Sequence, residues 1–162
     1  MGTATTIGLI VLGVVAIALV MSGVTKLTLH LMKRPLATRI AAFYGPDDIL
    51  MKDLTANNFG LESWGVWQGR GNGALVLTKD CLQFFRFLTG GDVRVPLEAI
   101  TEVTFTKHHL GKATIYDLLK VRFAIDDKPD SIAWYLTDPK AWKSRIEELK
   151  ATMAADERQQ VE

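Results

Sequence analysis

Residues 7–24 read IGLIVLGVVAIALVMSGV and contain no charged side chain. With TATT before them and Thr25 after them, the uncharged stretch reaches roughly 20 residues, which at 1.5 Å rise matches the ~30 Å hydrocarbon core of a bilayer. A helix satisfies its own backbone polar groups in lipid, and glycines such as Gly8 and Gly13 are tolerated there. A spanning helix is therefore expected over residues 1–25. The competing reading, a cleaved signal peptide, requires basic residues ahead of a shorter apolar core and a small-x-small cleavage site. Here no Lys or Arg precedes the run and the basic residues all follow it. That asymmetry places the N-terminus outside and the C-terminal domain in the cytoplasm, as a single-pass protein of the cell membrane. No ionisable group lies in the span, which argues against transport or proton relay.

The charge distribution divides the chain. Lys26, Lys33, Arg34 and Arg39 are the only charged residues before Asp47; of 19 basic and 18 acidic residues in all, the remainder is left mildly acidic. Nucleic-acid binding needs a concentrated basic face on the folded part, so no nucleic-acid partner is expected. Residues 26–46 form a basic neck in which Leu29, Met32, Leu36, Ile40 and Phe43 recur at helical spacing. Pro35 is expected to kink or restart that helix, and Gly45-Pro46 to end it. Two arrangements fit: the neck lies along the anionic leaflet, or it continues the anchor helix and packs its stripe on the domain or a partner.

From Gly60 the periodicity changes to two, and seven strands are expected: LESWGVWQG, ALVLT, CLQFFRFL, VRVPL, TEVTFT, YDLLKVRFAI and SIAWYLT. Lys79-Asp80 is a two-residue hairpin connection, while KHHLGKAT and DDKPD read as turns. A closing helix follows, with Asp138 as N-cap, Pro139 in the first turn, Trp142, Ile146, Leu149 and Met153 on one face, and Lys143 paired with Glu147. The tail, residues 154–162, is polar. If Leu82, Phe84 and Leu88 face the core, Phe85 and Phe87 face outward. A strand apolar on both faces is covered by something, by the neck or by another protein, unless a bulge turns one Phe inward.

The stretches GALVLTKDCLQF, VRVPLEAITEV and DPKAW resemble the opening, middle and closing motifs of bacterial pleckstrin-homology-like and GRAM-type domains. The likeness covers roughly residues 60–150 and implies a seven-stranded bent antiparallel barrel capped by a C-terminal helix, within a domain spanning residues 47–153. It also implies a non-enzymatic module that binds lipid headgroups, peptides or neighbouring proteins. Phosphoinositide-reading members grip phosphates from the loop after strand one, where this chain offers Arg70 alone, and the acidic DDKPD turn at the same end opposes a polyphosphate.

No catalytic, cofactor or metal site is expected. His108 and His109 are adjacent, so on a strand they point to opposite faces. GRGNG lies between strands instead of opening a helix, which makes it a turn and not a phosphate cradle. Cys81 is the only cysteine, and it reads as a buried or half-buried strand residue. Lys26, Lys33, Arg34, Arg39, Lys79, Lys107, His108, His109 and Lys112 are expected to form a docking surface for membrane lipids, with Lys79 and the 107–112 turn at the end where strand one begins. Phe85 and Phe87 are expected as a partner surface. The function expected is that of an adaptor or accessory subunit of a membrane protein assembly; the alternative is a membrane-anchored module that binds lipid headgroups.

Overall fold

The computed structural model describes residues 2–87 and 91–160; the side chains of residues 3–6, 8, 9, 11, 25–33, 157 and 160 lie outside the description. The expected roles of Lys26, Leu29, Met32, Lys33 and Leu88 therefore fall on side chains that are not described.

One helix, α1 (Thr3–Phe43), contains both the apolar run and the neck. Pro35 sits inside it without ending it, so of the two arrangements the chain adopts the continuous one. The helix closes at Tyr44, whose N–H bonds to the Ile40 carbonyl, and Gly45-Pro46 lead into a short 3-10 turn. Among the described residues no helix is long and apolar enough to cross a membrane; residues 8, 9 and 11 of the apolar run are not among the described side chains.

Seven antiparallel strands follow: β1 (Met51–Leu61), β2 (Gly71–Leu77), β3 (Cys81–Arg86), β4 (Val93–Pro96), β5 (Ile100–His109), β6 (Lys112–Ile125) and β7 (Lys128–Tyr135). They form one sheet in the order β4-β3-β2-β1-β7-β6-β5. Laid flat, the two edge strands would stand roughly 29 Å apart at about 4.8 Å per strand. Yet only residues 97–99 join β4 to β5, and such a link spans at most about 14 Å. The sheet must therefore curl until its edges approach. Its concave side holds the main core, where Leu75, Leu82, Phe84, Val95, Leu119, Val121, Ile132 and Trp134 are buried together.

The first strand differs from the sequence expectation. LESWGVWQG is not a strand: Glu62–Trp64 form a 3-10 turn, and Gly65 with φ +78 breaks the extension. The Gln68 side chain ties the loop back through Leu61 N–H and the Leu61 and Gly65 carbonyls. The true β1 lies upstream, where alternation is obscured by register shifts at Asp53/Ala56 and Asn58/Leu61. These irregularities let one strand serve β2 and β7 in turn and bend the sheet. KHHLGKAT is also not a loop. β5 and β6 continue through it to a two-residue turn at Leu110 and Gly111, both at positive φ. Asp126 and Asp127 turn β6 into β7 in the same way.

The closing helix α2 (Pro139–Gln160) matches its expectation. Asp138 caps it through the Ala141 N–H at 3.0 Å, and Lys143 meets Glu147 at 2.6 Å. Trp142 and Ile146 enter the main core, and Leu149 and Met153 pack on its rim.

Asp53 fixes the bend in β1. Its carboxylate accepts from Thr55 N–H at 2.8 Å, Thr55 hydroxyl at 2.6 Å and Thr137 N–H at 2.8 Å, tying β1 to the exit of β7. Burial pushes its pKa up, but these bonds outweigh that and hold it below the usual carboxylate value. A depressed folded pKa adds stability above the unfolded value that is lost as pH falls through the folded one. Asp53→Asn is expected to cost about 1–2 kcal/mol at neutral pH and to flatten the acid limb of the stability curve below about pH 4. Urea melts of both proteins across that range check it; parallel curves would refute the assignment.

Candidate functional site

The β2–β3 hairpin is apolar on both faces. Leu75, Leu77, Leu82 and Phe84 point into the main core, while Ala74, Val76 and Phe85 form a second buried cluster outside it. That outer face is covered by α1, whose Leu36 and Ile40 are each 2% exposed. Tyr44 packs edge-on against Phe85, and Phe43 lies with its ring centroid 5.6 Å away. β2 and β3 pair without a bulge, so the expected cover is present and is the chain's own neck. Phe85 is thus not an open partner surface, and Phe87 is half-buried on the rim of the same cluster.

Gly73 makes this tight pairing possible, since a Cβ there would come within 2.2 Å of the Phe85 carbonyl oxygen. At the hairpin turn, the Thr78 hydroxyl accepts from Asp80 and Cys81 N–H groups, 3.2 and 3.1 Å away.

Polar groups complete the junction. Arg39 donates to the Arg86 carbonyl at 2.8 Å and to Asp92 at 2.6 Å. Five residues on, the Tyr44 hydroxyl meets Cys81 Sγ at 3.5 Å and donates to Gln83. α1 therefore runs antiparallel to β3. Burial, reinforced by the Cys81 bond, pushes the Tyr44 phenol up to about 12. Burial raises the Cys81 pKa too, but bonds to Thr78, Tyr44 and Arg94 outweigh it and lower the thiol. Cys81 is 1% exposed and packed beneath Tyr44, so no substrate reaches it.

Of the nine residues expected to dock on lipid, the seven whose side chains are described do not form one surface. Arg34 is exposed, whereas Arg39 is committed to Arg86 and Asp92. Lys79 is exposed in the β2–β3 turn, beside the start of β1, where Leu50 N–H bonds to Leu77. Lys107 and His108 are exposed on the β5–β6 tip. That tip instead meets the end of β1: His109 Nε2 lies 3.0 Å from the Gly60 carbonyl, and Lys112 Nζ donates to the Phe59 and Gln68 carbonyls at 2.9 and 2.6 Å. By strand direction alone the turn would fall at the start of β1, since β6 runs parallel to β1 two places away in the sheet. β5 and β6 nevertheless run on past Leu119–Trp134, the last pair with β7, and their free tip folds back onto the end of β1. His109 and Lys112 are internal supports. Burial lowers both of their pKa values, with neighbouring Arg70 adding to the effect at Lys112.

Among the described residues no group of three His, Cys, Asp or Glu side chains is arranged to hold a metal. A recess also lines the β5 edge. Lys143 and Lys150 of α2 reach across it to the Val103 and Ile100 carbonyls, which occupies acceptors that an unprotected edge would offer to another strand. Burial lowers the Lys150 ammonium.

No protein-family model and no curated protein matches this chain. Among solved structures, a chain of the 8S snRNP assembly intermediate is similar over 66% of this chain and 85% of its own, with TM-score 0.50 and 9% identity. The C-terminal domain of an unknown protein from Leishmania infantum is similar over 64% and 84%, with TM-score 0.47 and 10% identity. At this identity the first likeness concerns the fold alone.

The helix–hairpin junction carries a direct expectation. Ile40→Ala removes a buried side chain facing Val76 and Phe85 and should cost about 2–4 kcal/mol. Limited proteolysis after the substitution should cut first between residues 33 and 50. Unchanged stability and cleavage would show that α1 is not integral to the domain.

Proposed function

We propose that this chain is a membrane-anchored, non-enzymatic binding module with a bent, helix-capped barrel of the pleckstrin-homology-like kind, working as an adaptor or accessory subunit of a membrane protein assembly. The observation that carries the reading is the continuity of α1. The helix whose Leu36 and Ile40 close the second hydrophobic cluster also contains the uncharged run 7–24. Every described large apolar side chain from Ile7 to Val24 is between 49% and 68% exposed. Such a surface is unfavourable in water and suited to acyl chains. With all neck charges basic, the domain belongs on the cytoplasmic side.

Several features support the adaptor role. The buried titratable groups Asp53, Cys81 and His109 each bond within the fold, to Thr55 and Thr137, to Tyr44 and to the Gly60 carbonyl. Meanwhile β6 extends beyond β7 and presents Ile115, 81% exposed, and Tyr116, 56% exposed, on a rigid hairpin suited to a protein partner.

Two measurements test the reading. The full chain is expected to stay with membranes through alkaline extraction, and the double variant Leu12→Arg, Ile17→Arg to be released; release of the unaltered chain would end the anchor claim. Purification from native membranes in mild detergent should yield a second membrane protein at fixed stoichiometry that is lost on Ile115→Glu. Recovery of this chain alone would end the adaptor claim.

A further inference from the structure

We propose that the loop joining β1 to β2, residues 62–70, is a second membrane contact: its Trp67 seats in the headgroup region of the leaflet that α1 enters. The inference rests on the anchor reading above and adds a contact which that reading does not require.

The direction of α1 comes first. Arg39 lies at the Arg86 end of β3 and Tyr44 at the Cys81 end, so the part of α1 before the neck leaves the domain past Arg86. The 62–70 loop stands at that same end. Gly71, which follows it, packs against the Arg86 guanidinium, and Trp64 packs against Gly91 just beyond β3. Lys79 stands at the opposite end of the hairpin.

The distances agree. From Leu36, seated on Ala74 and Phe85, twelve helical steps back to Val24 rise about 18 Å. From Ala74 to Gly71, the strand covers about 10 Å in the same sense. That leaves roughly 8 Å for the loop to cross, close to the 5–8 Å depth of the headgroup layer.

The loop is built for display. Trp67 is 97% exposed, Val66 56% and Trp64 49%. Yet the backbone beneath them is pinned by Gln68, which bonds to Leu61 and Gly65, and by Lys112, which holds the Phe59 and Gln68 carbonyls. A rigid loop that offers an indole to water forgoes its hydrophobic stabilisation unless something covers it. On the side of the β5–β6 tip the flanking groups are basic and favour an anionic, amphipathic cover. Arg70 is exposed, stacks over Phe59 at 4.2 Å and donates to the Ala113 carbonyl at 3.0 Å. Lys107 and His108 are exposed on the adjoining hairpin tip. Of the acids at this end Asp92 binds Arg39, Glu62 and Asp130 accept from Ser131 and Ser63, and the exposed Asp126 and Asp127 lie on the β6–β7 turn. Indoles favour the membrane–water interface, and cations there favour anionic lipid.

The test uses the full chain in vesicles of phosphatidylcholine and phosphatidylglycerol, with brominated lipid as the fluorescence quencher. Trp134 and Trp142 are buried, so lipid-quenched emission reports the loop. Quenching should be marked in the unaltered chain, persist in Trp64→Phe, and fall by about half or more in Trp67→Phe, whose exposed site leaves folding intact. Replacing phosphatidylglycerol with phosphatidylcholine should weaken it. If the chain resists alkaline extraction but its tryptophans are unquenched, the loop proposal fails while the anchor stands; if the chain is extracted, the anchor reading fails first. Quenching unaffected by Trp67→Phe would also overturn the assignment.

Discussion

Burial of the second apolar face of the β2–β3 hairpin is the constraint on which this structure depends. One face, with Leu75, Leu82 and Phe84, belongs to the core that any curled sheet would have. The other, with Ala74, Val76 and Phe85, would leave a greasy patch if the chain began at Asp47. Leu36 and Ile40 remove it from water, and Arg39 and Tyr44 fix the helix at either end of β3. The helix is consequently a structural layer of the domain as well as its approach.

The rest of the fold follows from how the sheet is made to close. A link of residues 97–99 between opposite edges forces curvature, the irregular β1 supplies the bend, and Asp53 holds that bend against the exit of β7. Trp142 and Ile146 of α2 fill the concave side, while Lys143 and Lys150 occupy carbonyls along the β5 edge. One helix thus serves both as core and as edge protection.

Much of this was legible in the sequence. Clean alternation and turn chemistry located β2 through β7, and the capped, three-four spaced pattern after Asp138 located α2. The doubly apolar CLQFFRF announced a cover but left open whether the neck or another protein provides it; Leu36 and Ile40 of the neck do. What failed did so for local reasons. β1 is rich in Asn and carries two irregularities, so no period-two signal survives, while the aromatic LESWGVWQG imitates a strand although Gly65 and the Gln68 side chain fold it into a loop. The placement of the basic residues failed because the β5–β6 tip runs on beyond its pairing with β7 and folds back onto the end of β1. Lys112 and His109 looked like surface cations because nothing in sequence reveals that their partners are carbonyls at the end of β1.

The seamless passage of α1 through Pro35 into its seat on Phe85 has a mechanical corollary. A tether made of flexible linker would let the domain wander and would isolate it from events in the lipid. A stiff rod clamped at one end does the opposite. On the anchored reading, bilayer thinning or a neighbouring subunit that changes the rod's tilt swings the whole sheet as a lever, and the displacement grows with distance from the pivot.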